Sequence, residues 1–133
     1  MSTPLAKQNV EPLYRLYNAA CNAHEFDRLA EFVAQDVLVN GETQGLQAYL
    51  RGLEVWVQAF PDFRWDLQHL LVDGCWLSAR FIDTGTHAGT FLDVPATGRS
   101  VITQEFAIYR FNADRIVEVW GTVDNIGLLS QLS

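Results

Sequence analysis

Hydrophobic residues recur at two different spacings along this chain, and the spacing changes near Pro61. Residues 5–21 and 46–60 carry apolar side chains every three or four positions, which predicts two amphipathic helices, and residues 25–33 predict a shorter one between them. Because proline fits the first turn of a helix, we expect the well-formed part of the first helix to start near Glu11 with Pro12 in that turn. Its predicted apolar face comprises Val10, Leu13, Leu16, Tyr17 and Ala20.

After Pro61 the apolar residues alternate with polar ones, which is the period of a half-buried strand. The strands are predicted over residues 63–70, 76–86, 99–111 and 115–124, with a short earlier strand at residues 37–40. Asn112 to Arg115 form a short polar turn between the last two, which indicates an antiparallel hairpin. The chain is therefore predicted to be an α+β protein in which N-terminal helices cover one face of a curved antiparallel sheet and enclose a single cavity.

Composition narrows the possible partners. With 133 residues and nearly half of them apolar, the chain is expected to form a single domain over residues 1–133. Its net charge of −7 and nine scattered Lys and Arg residues argue against nucleic-acid binding. No apolar run is long enough to span a bilayer, and residues 1–4 lack a signal-peptide pattern, so we expect a cytoplasmic protein without a membrane partner. Cys21 and Cys75 have no CxxC or metal-like neighbour and are expected to be buried thiols.

Several short motifs follow one another in the second half of the chain. They are Phe60–Trp65, Gly85–Gly89, Pro95–Arg99, Tyr109–Phe111, Ile116–Trp120, then Asp124 and Gly127–Leu132. In this order they resemble the SnoaL-like proteins, the polyketide-cyclase-like branch of the nuclear transport factor 2-like superfamily. The resemblance covers nearly the whole chain and implies a cone-shaped, cystatin-like α+β barrel with a deep apolar pocket for a hydrophobic small molecule. In the cyclases of this family, an aspartate just after a tryptophan acts as general acid/base, with no metal or organic cofactor.

The catalytic pattern of those cyclases is interrupted in this chain. Where they read Glu-His-Trp-Asp, this chain reads Glu118-Val119-Trp120-Gly121, so the resemblance places Gly121 at the aspartate position and Val119 at the histidine position. The cyclase pocket positions on the preceding strand match Glu105 and Ala107. The cyclase mechanism therefore does not carry over to these residues.

Glu105 is the candidate replacement for the missing carboxylate. Since alternate strand residues share a face, Glu105 and Ala107 lie on one side, as do Val119 and Gly121. A bulge at the Asn112–Arg115 turn would place Glu105 opposite Gly121, where glycine leaves room for a buried base. If the register is shifted by one residue, Glu105 instead faces solvent.

Other candidates concern the pocket wall. Arg80 lies in the middle of a strand among residues expected to be buried, so it should pair with Glu105 or Asp83 or meet an anionic ligand. Asn40 ends the first strand, where cone-shaped folds place polar pocket residues. The predicted ligand-binding residues are Tyr14, Tyr17, Asn40, Trp56, Phe60, Arg80, Ala107, Val119 and Gly121.

Structural roles are expected for most other polar and aromatic residues. Asp124 should cap the last helix, and Trp120 should lie with Glu118 on the face opposite Val119. His24, His69 and His87 lack metal-ligand spacing and no carboxylate completes a set, so no metal site is predicted.

Three functions remain open from the sequence. The first is a small enzyme that uses acid/base chemistry on an apolar carbonyl substrate, with Glu105 as base and Asn40, Arg80 or a tyrosine in support. The second is a non-catalytic protein that binds a hydrophobic ligand, and the third is an isomerase or epoxide hydrolase, as found among relatives of this fold. A homodimer through the outer sheet face is also expected, with Trp76, Trp120 and Tyr109 as the apolar patch.

Overall fold

The computed structural model describes residues 3–133, with side chains from Val10 onward. The elements in chain order are helix α1 (Thr3–Asn22), a 3₁₀ helix (Phe26–Glu31), strand β1 (Val33–Val39), β2 (Glu42–Thr43), helix α2 (Leu46–Ala59), the strands β3 (Arg64–Asp73), β4 (Trp76–Thr86), β5 (Ser100–Asn112) and β6 (Arg115–Val123), and helix α3 (Asn125–Gln131). The α+β architecture predicted from the sequence is confirmed. No described helix is long and apolar enough to cross a membrane. The cytoplasmic location stays a prediction.

The strands form one curved, unclosed sheet in the order β2-β1-β6-β5-β4-β3. Neighbouring strands are antiparallel except β1 and β6, which run parallel, so the expectation of a wholly antiparallel sheet is wrong at this pair. The parallel pairing arises because the chain crosses from β1 through α2 and three further strands before β6 returns beside it. Register shifts interrupt the β1–β6, β3–β4 and β5–β6 pairs, and such bulges bend a sheet.

The helices cover the inner face of this sheet. Helix α1 contacts β3, α2 contacts β1, and α3 contacts β5. On α1 the positions Val10, Tyr14, Tyr17 and Cys21 are buried, and their spacing of three or four residues gives one helix face. Inner-facing residues of the sheet, such as Leu77 and Phe81, pack against them.

Helix α1 differs from its prediction at both Pro12 and Leu16. The helix runs through Pro12 instead of starting beside it. Pro12 is exposed, so a carbonyl left without its helical partner at this position can be hydrated. The predicted apolar face includes Leu16, but its side chain is 59% exposed, because it points away from the face that Tyr14 and Tyr17 present to the sheet.

The segment after α1 also differs. The shorter helix is a single 3₁₀ segment that ends at Glu31, and Val33 already belongs to β1. The predicted strand at residues 37–40 is therefore only the second half of a longer one. Phe32 and Val33 fall within the predicted helix, yet they are buried at the start of strand β1.

An aromatic cluster packs between the end of α2 and the sheet. We call Trp56, Phe60, Phe63 and Phe91 the aromatic cluster, since their ring centroids lie 5.2–6.1 Å apart. A side chain at Gly85 on β4 would put its Cβ 2.8 Å from the Cβ of Phe60, so glycine is required for this close approach. The cluster fixes the end of α2 against the sheet.

Candidate functional site

A small cavity lies between α1, α2 and the inner face of β4 and β5. Four tyrosines supply most of its wall, together with Glu105 and Cys21. The half-buried residues Asn18, Tyr49 and Leu53 form its outer rim. Its volume of about 40 Å³ is enough for a few water molecules.

The four tyrosines, Tyr14, Tyr17, Tyr49 and Tyr109, place hydroxyl groups in the interior. Helical spacing on α1 directs Tyr14 and Tyr17 to one face, and the Tyr17 hydroxyl is hydrogen-bonded to that of Tyr49 on α2. The Tyr14 ring lies 4.7 Å from that of Tyr109, and the Tyr14 hydroxyl is buried without a well-aligned hydrogen-bond partner. Burial raises the pKa of all four phenols, so each is a neutral hydroxyl able to donate a hydrogen bond.

Glu105 lies on the inner side of the sheet and reaches this cavity. It shares the inner face of β5 with Ala107 and Tyr109, which are both buried, and it is itself half-buried. Burial raises the pKa of its carboxyl, and the neighbouring Asp83 carboxyl opposes that rise. The alternative in which Glu105 faces solvent is therefore wrong.

The predicted pairing of Glu105 with Gly121 is also wrong. A bulge is present, but it lies within β6, where Val117 is the extra residue between the Phe111–Ile116 and Arg110–Glu118 pairs. One extra residue shifts the register by one position, so Glu105 pairs with Val123, and Ala107 pairs with Gly121.

Asp83 is the residue that sequence reasoning did not single out as part of the site. It is 0% exposed, and neither carboxyl oxygen has a well-aligned hydrogen-bond partner. Burial, and then the neighbouring Glu105, raise the pKa of Asp83 far above the usual range of an aspartate. In β4, Asp83 alternates in phase with Leu77, Ala79 and Phe81, which lie on the inner face.

Arg80 and Asn40 lie away from the cavity. The Arg80 guanidinium donates to Gln104 Oε1 at 2.6 and 2.9 Å on the outer face, and it also contacts His69. The expected pairing of Arg80 with Glu105 or Asp83 is wrong, because β4 alternation turns Arg80 outward. Asn40 is exposed, and its side-chain oxygen accepts from the Gly121 N–H at 2.9 Å, so it joins β1 to β6.

The remaining predicted ligand-binding residues lie at buried or half-buried positions. Trp56 and Phe60 are members of the aromatic cluster. Ala107 and Val119 are 4% and 7% exposed, and a Cβ at Gly121 would lie 3.3 Å from the Cβ of Ala107. None of these five residues is in the wall of the small cavity. Whether they bind a ligand stays a prediction.

Several structural expectations agree with the described contacts. Asp124 caps α3 by accepting from the Gly127 N–H at 2.9 Å. Trp120 lies on the outer face, 42% exposed, and donates to Glu118, which pairs with Arg110. Tyr109, by contrast, is predicted in the outer patch but is 5% exposed and faces the cavity, because it alternates in phase with Glu105. Cys21 is buried as expected, whereas Cys75 is exposed at the β3–β4 turn.

The histidines lie in separate places. His87 is buried and accepts from the Thr97 N–H through Nδ1, so it holds the loop between β4 and β5. His24 contacts the Phe63 carbonyl oxygen, and His69 lies beside Arg80. Among residues 10–133 no three His, Cys, Asp or Glu side chains come together in a way that would hold a metal ion.

The arrangement can support proton transfer. A carboxylate at Glu105 can accept a proton, and the Tyr14 hydroxyl can donate a hydrogen bond in the same cavity. Both groups are positioned by regular elements, α1 and β5, instead of loops.

Comparison with known proteins connects this geometry to relatives. Residues 11–132 match the family model of the SnoaL-like polyketide cyclases. A SnoaL-like polyketide cyclase from Agrobacterium tumefaciens is 31% identical, with a TM-score of 0.83 over 94% of this chain and 98% of that one. IdmH, a putative polyketide cyclase from Streptomyces antibioticus, is 25% identical with a TM-score of 0.83, over 92% of this chain and 96% of IdmH. AclR, a putative hydroxylase from Streptomyces galilaeus, is 22% identical and shares the fold, with a TM-score of 0.85 over 95% of this chain and 96% of AclR. No curated protein matches the chain in sequence.

Proposed function

We propose, from the premise that this chain belongs to the SnoaL-like polyketide cyclase family, that it is an enzyme acting on a carbonyl-containing small molecule. Glu105 is the general base in this proposal, and Tyr14 is the hydrogen-bond donor to the substrate oxygen. The reaction is of the cyclase or isomerase type, because both begin with removal of a proton next to a carbonyl group.

One observation carries the proposal: Glu105 and the unpartnered Tyr14 hydroxyl line the same buried cavity. In the reaction a carbon–hydrogen bond beside the carbonyl breaks, and its proton passes to Glu105. The electron pair moves into the carbonyl group and leaves an enolate oxygen. A buried hydroxyl without a partner can donate to that oxygen without first breaking another hydrogen bond.

Strand β6, where the family resemblance places the aspartate, supplies no such group here. Gly121, Val119 and Ala107 present no titratable side chain to the interior. A base therefore has to come from another strand, and Glu105 is the inner-facing carboxylate on β5.

Substrate entry requires the helices to move. The cavity of about 40 Å³ is smaller than any cyclase substrate, and the hydrogen bond between Tyr17 and Tyr49 joins α1 to α2 at its rim. Binding in this proposal separates α1 from α2 around Asn18 and Leu53 and exchanges water for the ligand.

The test is proton exchange on a small carbon acid. Methyl acetoacetate in D₂O loses its α-proton signals in ¹H NMR, and we expect wild-type protein to speed this loss above the buffer rate. We expect Glu105→Gln to lower the protein-dependent rate by a factor of about 100 or more, because it removes the base. Glu54→Gln, on the exposed face of α2, is the matched control and should keep the wild-type rate. Equal rates for wild type and Glu105→Gln would reject the assignment.

A non-catalytic binding role is the second candidate, favoured by the glycine at the cyclase aspartate position. It predicts that the purified protein retains a hydrophobic ligand detectable by native mass spectrometry and that Glu105→Gln retains the same ligand. Ligand retention without proton exchange would favour this role over the enzyme.

A homodimer through the outer sheet face accompanies either role. The outer face exposes apolar side chains on neighbouring strands: Leu71, Trp76, Ile102, Phe106, Ile108 and Trp120. Large contiguous apolar surface is uncommon on a monomer. We expect sedimentation to give a dimer at micromolar concentration and Phe106→Glu to give a monomer.

A further inference from the structure

We propose that Asp83 is a positioning residue for Glu105: protonated inside the sheet, it donates a hydrogen bond that keeps Glu105 ionised. The inference rests on the proposed function of Glu105 as a base. It assigns a role to a buried carboxyl that packing alone leaves unexplained, since an apolar side chain would fill the same position on β4 without the cost of burying polar oxygens.

The sheet brings the two carboxyls together. In the antiparallel β4–β5 pair, Phe81 pairs with Glu105, and Asp83 pairs with Thr103. Asp83 and Glu105 are therefore diagonal neighbours on the inner face, a separation that carboxyl-bearing side chains can bridge. The side chain of Glu105 is the longer one and extends to the cavity, whereas Asp83 stays deeper in the core.

Burial decides how many charges the pair holds. Asp83 is fully buried and neither of its oxygens has a well-aligned partner, so an ionised Asp83 would be an uncompensated charge. The ion pairs found among the described side chains do not include Asp83 or Glu105. Two adjacent ionised carboxylates would also repel each other, so the pair retains one proton. The proton stays on Asp83, because Glu105 lines the cavity, whereas Asp83 is fully buried away from it.

No other described group near Glu105 competes for this role. The titratable groups that face it are Tyr14, Tyr17 and Cys21 from α1, Tyr49 from α2, and Tyr109 from β5. Burial keeps all of them neutral at pH 7, since it raises the pKa of the phenols and raises the pKa of the Cys21 thiol to about 12. The described inner-facing residues of β6, Ile116, Val119, Gly121 and Val123, add no titratable side chain.

The hydrogen bond from Asp83 matters because burial by itself favours the protonated form of Glu105, which cannot accept a proton. A donor on the other side of the carboxylate stabilises its charge and also restricts its rotamer. Asp83 keeps its own proton throughout, and only Glu105 exchanges a proton with the substrate.

The test uses the carboxyl ¹³C signals of the intact protein. Protein labelled at the side-chain carboxyl carbons of Asp and Glu is titrated from pH 4 to pH 9, with Asp83 and Glu105 assigned by the signals missing from Asp83→Asn and Glu105→Gln. In wild type we expect Asp83 to remain protonated at pH 7 while Glu105 is ionised. This measurement needs no variant to be functional.

A matched pair of variants tests the hydrogen bond. Asp83→Asn keeps a donor and should leave the Glu105 midpoint within a few tenths of a pH unit, whereas Asp83→Leu has a similar size without a donor and should raise it by one unit or more. Equal midpoints in both variants would overturn the proposal, as would an ionised Asp83 in wild type at pH 7.

The outcome separates this inference from the proposed function. If Glu105→Gln abolishes proton exchange but the two Asp83 variants titrate alike, Glu105 is the base and Asp83 has no role in it. If Glu105 titrates as expected but wild type and Glu105→Gln exchange protons equally, the carboxyl pair exists and the proposed enzyme function fails.

Discussion

Strand β5 has two neighbours, and its inner face presents opposite chemistry to them. With β4 it brings two carboxyls together, Asp83 and Glu105, beside a tyrosine-lined cavity. With β6 it aligns Ala107 opposite Gly121 and Tyr109 opposite Val119, and β6 itself adds no carboxyl to the inner face. The family's catalytic aspartate belongs to the second pair. The fold can therefore lack a carboxylate on β6 while it buries two on the neighbouring strands β4 and β5.

The largest effect should come from restoring the family's residue in the β5–β6 pair. Gly121→Asp should lower the free energy of unfolding at pH 7 by about 3 kcal/mol, because the new carboxylate would lie against the buried Ala107 side chain. The measurement is urea denaturation of wild type and variant at pH 7.

A control separates charge from size at this position. Gly121→Ala adds only the Cβ, 3.3 Å from that of Ala107, and should change the free energy of unfolding by less than about 1 kcal/mol. Burial should raise the pKa of the introduced aspartate, so the loss should shrink as the pH falls toward 4. An aspartate variant as stable as the alanine variant at pH 7 would show that the β5–β6 pair can hold a carboxylate without cost.

The next largest effect is expected in the β4–β5 pair, where burial of Asp83 makes the free energy of unfolding depend on pH. An aspartate in an unfolded chain has a pKa of about 3.9, and burial raises the pKa of Asp83 far above this value. Between those two values the folded protein holds a proton that the unfolded chain has released, so stability falls as the pH rises. Asp83→Asn removes this dependence. Relative to wild type, we expect its free energy of unfolding to increase by about 2 kcal/mol as the pH rises from 5 to 8.

The exposed Asp62 provides a control for this dependence of the free energy of unfolding on pH. Hydrogen bonds from Thr86 lower the pKa of Asp62, so it is ionised in both folded and unfolded chains across this window. Asp62→Asn should therefore shift the urea midpoint without changing its dependence on pH from 5 to 8. If Asp83→Asn behaved in the same way, Asp83 would be ionised in the folded protein.

A smaller effect is expected at the cavity rim. Tyr49→Phe removes the hydrogen bond between Tyr17 and Tyr49 and leaves a buried hydroxyl on Tyr17, which should cost about 1 kcal/mol of unfolding free energy. Thermal or urea denaturation at pH 7 measures it.

The smallest effect is expected at Tyr14, whose hydroxyl has no well-aligned partner. Tyr14→Phe should change the unfolding free energy by less than about 0.5 kcal/mol, because no hydrogen bond is lost. It should nevertheless lower the rate of proton exchange on methyl acetoacetate, since the donor to the enolate oxygen is gone. A loss of stability as large as that of Tyr49→Phe would mean that Tyr14 has a hydrogen-bond partner in solution.

The sequence predicts the strands well because alternation and turn residues agree there. Strand β4 runs from Trp76 to Thr86 as predicted, since Asp73 and Gly74 precede it and its apolar residues alternate throughout. Helix α1 is less well predicted at Pro12. A helix can continue through a proline where the carbonyl left without its partner is hydrated, and that depends on which helix face meets the sheet. The sequence alone leaves that orientation open.

The candidate site is only partly predictable. The side on which Glu105 lies follows from alternation with Ala107 and Tyr109, but its cross-strand partner depends on the position of the bulge. From the sequence, Asp83 stands out only as a partner for Arg80, because the sequence does not show which phase of β4 faces inward. That phase becomes clear only when Leu77 and Phe81 are seen against the helices.

The bulge in β6 determines which side chains of that strand face the helices and which face solvent. Val117 has no cross-strand partner on β5. This extra residue sets the face of the sheet on which each residue from Glu118 to Val123 lies. If Val117 paired with Arg110 and the bulge were lost, Trp120 would turn toward the helices and Val119 and Gly121 toward solvent, while β5 and its carboxylate stayed in place. The bulge therefore lets the inner face of β6 change independently of the pair formed by Asp83 and Glu105.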